Sequence, residues 1–232
     1  MTVAGKLFCD RFPPDKIPAL PTCGIFLRRE FPLKNNLEFP EGIHPCEDGL
    51  FSHFVLALTE KISFCPEAVY HYRQHEQGNH HQIRKRTADI LPMIPRWLSL
   101  IEEFYEQRHL WKRKAGHLVR FIEHEPFELR LLGMPFSPPE QEILYSIIRD
   151  FLTAHCTAAE CRRASLHLPF RLLLQSSGFS DFGRRLRRAG KNTGIRRKLL
   201  HFCPVPSWRR NGRAQLRQVR EQLEEIRRNI TF

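Results

Sequence analysis

The chain has 232 residues, with 37 Lys and Arg against 25 Asp and Glu for a formal charge of +12, and 41% of it is hydrophobic, including 18 Phe. Such a chain buries the core of one domain, or of one domain plus an appendage, and wholesale disorder is excluded. No stretch approaches the roughly 20 uninterrupted apolar residues of a membrane-spanning helix, and residues 1–12, MTVAGKLFCDRF, lack the apolar run of a secretory leader.

Near the N-terminus, residues 3–9 read as a short strand, after which Pro13, Pro14, Pro18 and Pro21 favour an extended crossing. Ile25, Phe26 and Leu27 form a second apolar strand with Arg28 and Arg29 at its end. In Phe39-Pro40-Glu41-Gly42 the proline and glycine are placed to turn the chain, and Pro45 keeps His44 out of helical angles. The acidic pair Glu47-Asp48 follows this loop, and from Gly49 onward Leu50, Phe51, Phe54, Val55 and Leu58 recur at helical spacing. Glu47 and Asp48 are therefore expected at a helix N-terminus, where backbone donors and the dipole favour ionised carboxylates. Residues 61–65 and 68–72 read as a strand pair or one bent strand, broken at Pro66 and closing on Tyr70-His71-Tyr72-Arg73. On these residues alone the acidic pair is either a helix cap or a catalytic base, and Arg73 is either an anion contact or a surface ion pair.

The order of these elements resembles the acceptor-side half of family 2 glycosyltransferases, inverting enzymes of the GT-A fold. Phe26-Leu27-Arg28-Arg29-Glu30-Phe31, Phe39-Pro40-Glu41-Gly42, Glu47-Asp48 and Pro66-Glu67 through Tyr70-His71-Tyr72-Arg73 carry the likeness, over about a quarter of the chain. The resemblance implies an α/β fold, with a truncated GT-A-like sheet fragment near the N-terminus and a mainly helical extension. It also implies transfer of a sugar from a nucleotide-sugar donor to a glycan or lipid-linked acceptor. Inversion needs a base to take the acceptor proton; by resemblance that base is Asp48, with Glu47 its neighbour pointing elsewhere. Arg73, Arg28, Arg29 and His44 are the candidate acceptor or diphosphate contacts.

The family's nucleotide-binding units and its Asp-x-Asp motif have no counterpart here, and Pro21-Thr22-Cys23-Gly24 stands where a Trp is common. Hard cations on diphosphates need carboxylate oxygens. No cofactor is therefore expected in this chain alone, and Mg or Mn only when a nucleotide-binding partner chain or longer form supplies the missing half. The alternative is a non-catalytic remnant or scaffold with a basic tail that binds a membrane or partner.

Cys9, Cys23, Cys46, Cys65, Cys156, Cys161 and Cys203 are odd in number and scattered. They suit free thiols in a reducing cytoplasm. Neither His44-Pro45-Cys46 nor the cluster His155, Cys156, Cys161 matches the spacing of a usual zinc site. After His75-Glu76, Asn79 occupies the position a zinc-binding H-E-x-x-H would need, so QHEQGNHHQ reads as a loop.

Beyond residue 84 the pattern is helical. Thr87 and Asp89 open one helix with an inward face of Ile90, Ile94, Trp97, Leu98, Ile101, Phe104 and Tyr105, its first turn complicated by Pro92 and Pro95. A second is expected over 109–123, and a third opens at Ser137-Pro138-Pro139-Glu140 after a break at Gly133-Met134-Pro135.

The last 49 residues carry 15 Lys and Arg against 3 Asp and Glu, leaving 22 of each sign in residues 1–183, so the whole net charge lies there. Leu216, Val219, Leu223, Ile226 and Ile230 add an amphipathic seam. The seam packs on the protein's own helices or lies on an anionic membrane face. Nucleic acid is the least favoured partner, because no aromatics are interleaved for stacking. The chain thus divides into 1–83, acceptor-side half; 84–183, helical region; and 184–232, basic tail. It is expected in the cytoplasm, peripheral at the inner membrane face where the tail engages lipid.

Overall fold

A computed structural model describes residues 24–59, 86–165 and 167–199, with the isolated positions Ala19, Ile62, His71, Arg217 and Glu221. Of these residues 73% are helical and none lies in a strand. In chain order they form α1 (Glu30–Lys34), α2 (Glu47–Leu58), α3 (Thr87–Ile90), α4 (Met93–Gln107), α5 (Trp111–Ile122), a π-helical segment (Glu123–Leu132), α6 (Pro138–His155), α7 (Ala158–Ala164), α8 (Leu168–Gln175) and α9 (Phe179–Leu199).

The expected α/β class, with a GT-A-like sheet fragment near the N-terminus, is overturned. Ile25-Phe26-Leu27 has no regular structure, and Phe26 is 98% exposed. A strand is stable only beside other strands or packed on a helix, and no second strand stands beside this run among the described residues. Ile62 and His71 are likewise not in strands. The rest of the strands expected at 3–9, 61–65 and 68–72, together with Arg73, falls outside the described residues.

The helical expectations fare differently. α4 buries Ile94, Trp97, Leu98, Ile101, Phe104 and Tyr105, the stripe read from their spacing. Its two prolines sit where a missing N–H costs nothing, Pro92 at the N-cap and Pro95 in the first turn. α6 starts in a capping box: the Ser137 N–H and hydroxyl both donate to Glu140, at 2.7 Å each. α7 opens in the same way, with Thr157 donating to Glu160 and accepting from its N–H at 3.2 Å. The helix expected over 109–123 is α5, but the chain does not stop there. Pro126 has no N–H, and its ring crowds the carbonyl four residues back, so an α-helical register cannot continue through it. The chain widens instead into the π turn, which runs to Leu132.

Packing follows from these faces. α2 lies against α4 and α5, α5 against α7, the π segment against α5 and α6, and α8 against α9 and α6. Trp97, Tyr105, Phe121, Phe127, Phe170 and Phe182 are fully buried at the centre. α2 is enclosed on every side, with each residue from Gly49 to Ala57 buried. Only its first turn and its last residue reach the surface.

At the start of α9, Asp181 accepts from the Ser177 N–H at 3.1 Å, from Arg185 at 2.8 Å and from Arg184 at 3.3 Å. The Arg185 hydrogen bond first, then the Ser177 N–H, hold its carboxyl down at about 2.

Two measurements check this arrangement. Phe121→Ala should lower unfolding free energy by about 3–5 kcal/mol in denaturant titration, whereas Ile143→Ala, on the outer face of α6, should change it by less than about 0.5 kcal/mol. Because Asp181 titrates lower folded than unfolded, its contribution is complete above the ordinary carboxylate range and disappears as pH falls through about 2. An NMR titration of its carboxyl should show that depressed midpoint, and Arg185→Ala should move it up.

Candidate functional site at the first turn of α2

The loop before α2 is fixed by both its apolar and its polar groups. Leu37 and Ile43 are buried, and Phe39 stacks on Phe51 of α2 with ring centroids 4.1 Å apart. The turn at Glu41-Gly42 puts Gly42 at φ +66, a left-handed conformation that glycine adopts without penalty. Arg96 of α4 donates to the Glu41 carbonyl at 3.4 Å. The His44–Pro45 peptide is cis, and Cys46 takes the N-cap at φ +94 with no side-chain cap bond. Its carbonyl accepts the first helical bond from the Leu50 N–H at 2.9 Å.

This geometry separates the acidic pair. Glu47 Oε1 lies 3.1 Å from His44 Nδ1 with both side chains partly exposed, while Glu47 Oε2 is turned inward without a hydrogen-bond partner. Asp48, the next residue, is exposed. Successive helical positions point in different directions, so the two carboxylates of the turn take different settings, Asp48 exposed and Glu47 beside an imidazole. The expectation that Glu47 and Asp48 open a helix agrees with α2, but neither is its N-cap. Of the other candidate residues, only His44 joins them. Arg28 and Arg29 stand exposed before α1 and form no ion pair among the described residues, and Arg73 lies outside those residues.

Beneath the turn is a buried layer with little signal in the sequence. A Cβ on Gly49 would come within 3.0 Å of Cys46 Sγ and 3.1 Å of Glu125 Oε1, so any larger residue would push the Glu125 carboxylate back by a few tenths of an ångström. Glu125 is bonded by Arg130 Nη2 at 3.0 Å, both side chains being about nine-tenths buried, and the Arg130 guanidinium lies over Trp97 at 5.3 Å. In an α-helix, residues five apart do not face each other; the wider π turn brings Arg130 back over Glu125. Burial, and then the neighbouring Glu125 charge, push the Cys46 thiol well above its ordinary range. It stays protonated and unreactive at neutral pH.

One turn further into α2, His53 Nε2 and the Tyr105 hydroxyl lie 3.1 Å apart, and the His53 ring stacks on His117 of α5 at 4.2 Å. Both imidazoles are fully buried. The sequence reading singled out neither, since a histidine at a core position of a helical stripe looks like any surface polar residue until its neighbours are known.

The chemistry open to the first turn is that of one exposed carboxylate beside helix N–H groups, held on a fixed base. No group of three or more His, Cys, Asp or Glu side chains suited to a metal ion occurs among the described residues.

Replacing Glu125 by Gln leaves Arg130 buried with no opposing charge. It should cost about 3–5 kcal/mol of stability, read by denaturant midpoint. A loss under about 1 kcal/mol would show the pair to be dispensable to the base of α2.

Comparison with known proteins adds no relative: no family model, no curated protein and no solved structure matches the chain.

Proposed function

We propose that the chain is the acceptor-side portion of an inverting glycosyltransferase, with Asp48 as the base that takes the acceptor hydroxyl proton and a second polypeptide or longer form binding the nucleotide sugar. The observation that carries the reading is the exposure of Asp48 in the first turn of α2, beside the His44–Glu47 pair. A base that works on an incoming hydroxyl must be accessible and ionised, and the helix dipole favours the charged carboxylate at that position. His44 and Glu47 hold each other at the rim of the turn, so Glu47 serves to orient rather than to accept the proton. The donor half and its divalent cation are assigned to the partner, because the residues that would bind them have no counterpart in this sequence.

The test is direct acceptor binding followed by turnover. The full chain, applied to an array of free and lipid-linked glycans, should retain a defined subset, and Asp48→Ala should weaken that retention roughly tenfold. The same substitution at the exposed Asp150 should leave it unchanged. In a reconstituted transfer reaction, Asp48→Asn should lower kcat by about a hundredfold or more with little change in KM. A folded chain that retains no glycan at millimolar concentration would sink this reading and leave the non-catalytic scaffold as the remaining one.

A further inference from the structure

A second site, far along the chain from the acidic turn, lies in a cavity of about 390 Å3 between α6, α7 and α8. Arg149, Arg162 and Arg171 line it together with Cys156, Cys161 and Leu174, and no carboxylate lines it among the described residues. Arg149 is held in place: its Nη1 donates to the Tyr145 hydroxyl at 2.9 Å and to the Ser176 carbonyl. The Tyr145 hydroxyl is itself 2.6 Å from Ser176 Oγ, which donates to the Leu173 carbonyl at 2.6 Å. These bonds use one nitrogen of the guanidinium. Arg171 is positioned by an Nη2 bond to the Ser165 carbonyl at 3.3 Å, and Arg162 projects from the last turn of α7. Neither Arg149 nor Arg162 forms an ion pair among the described residues. The acid nearest Arg162 in sequence, Glu160, is committed to the α7 capping box, and Asp150, next to Arg149, is exposed and does not line the cavity.

Three guanidinium groups share one concave surface, and Arg149 and Arg162, which form no ion pair among the described residues, offer free donors to an anion entering it. Planar donor forks match the oxygens of phosphate better than they match a point charge. The cavity exceeds what an inorganic ion fills and falls in the size range of small-molecule sites, and Leu152, Leu174 and the two sulfurs give it an apolar wall. We infer that this cavity binds a small phosphate monoester, its phosphate held by Arg149, Arg162 and Arg171 and its organic part against the apolar wall. The inference is independent of the glycosyl-transfer reading.

The two cysteines report occupancy without interference from the basic tail. The full chain is treated with N-ethylmaleimide at about 150 mM salt, a concentration that screens exposed charge beyond about 8 Å. Labelling of Cys156 and Cys161 is followed by peptide mass spectrometry. Glucose 6-phosphate as probe should slow their labelling by about fivefold or more, while amide hydrogen exchange in α4, away from the cavity, is unchanged and shows that the fold as a whole has not simply tightened. Arg149→Met and Arg162→Ala should each raise the concentration needed for protection roughly tenfold. Arg163→Ala removes the same charge from the adjacent position, outside the cavity, and should not.

Arg149→Met also breaks bonds inside the fold, so Arg162, on the exposed side of α7, decides the matter if that variant fails to fold. Vesicles containing phosphatidic acid form a second arm. Protection by vesicles and not by the soluble ester would assign the monoester to a lipid headgroup. Inorganic phosphate protecting as well as the ester would overturn the assignment of an organic ligand. Absence of protection by every probe at 10 mM (about the weakest affinity of interest, near 3 kcal/mol), or equal sensitivity to Arg163→Ala, would overturn the site itself.

Discussion

The ion pair between Glu125 and Arg130 is the interaction on which the acidic turn depends. Two charges about nine-tenths buried are costly to take out of water, and the cost is met only where geometry is good and other groups complete the contact. Here the contact is made by the π turn that Pro126 enforces, by the Trp97 face beneath the guanidinium, and by the missing side chain of Gly49. A side chain at residue 49 would press on both the Glu125 carboxylate and the Cys46 sulfur, which would have to give way at the start of α2.

Carboxylates therefore occur around the α2 N-terminus at two depths. Glu125 is buried and committed to Arg130, whereas Glu47 and Asp48 are nearer water, Glu47 beside His44 and Asp48 exposed. One helix terminus is thus surrounded by three acids at graded depth, of which Asp48 is the most exposed.

The sequence made the helices legible and the tertiary layer illegible, for reasons seen in individual residues. The stripe of α4 and the capping box of α6 depend on contacts within one or two turns, so spacing alone reveals them. The turn at Phe39-Pro40-Glu41-Gly42 and the helix start behind Glu47 were legible for the same reason. Ile25-Phe26-Leu27 was misread because a β-prone tripeptide has no structure of its own without neighbours. Glu125, Arg130, His53 and His117 could not have been chosen in advance: each looks polar and expendable until the chain folds. Their nearest clue was Pro126 inside an otherwise helical stretch, a local conflict of the kind that marks a strained or functional place.

α2 has a consequence for how this molecule can change over time. Nine successive residues, Gly49 to Ala57, have no face toward water, so no position among them is free to drift. Variation there must be compensated by α4 or α5, through coupled changes at residues such as Tyr105 or Phe121. A ligand touching the first turn can likewise be felt inside the bundle only along the helix axis, because the cylinder is gripped all round. The helix is a piston in a closed sleeve, with the acidic turn as its exposed head.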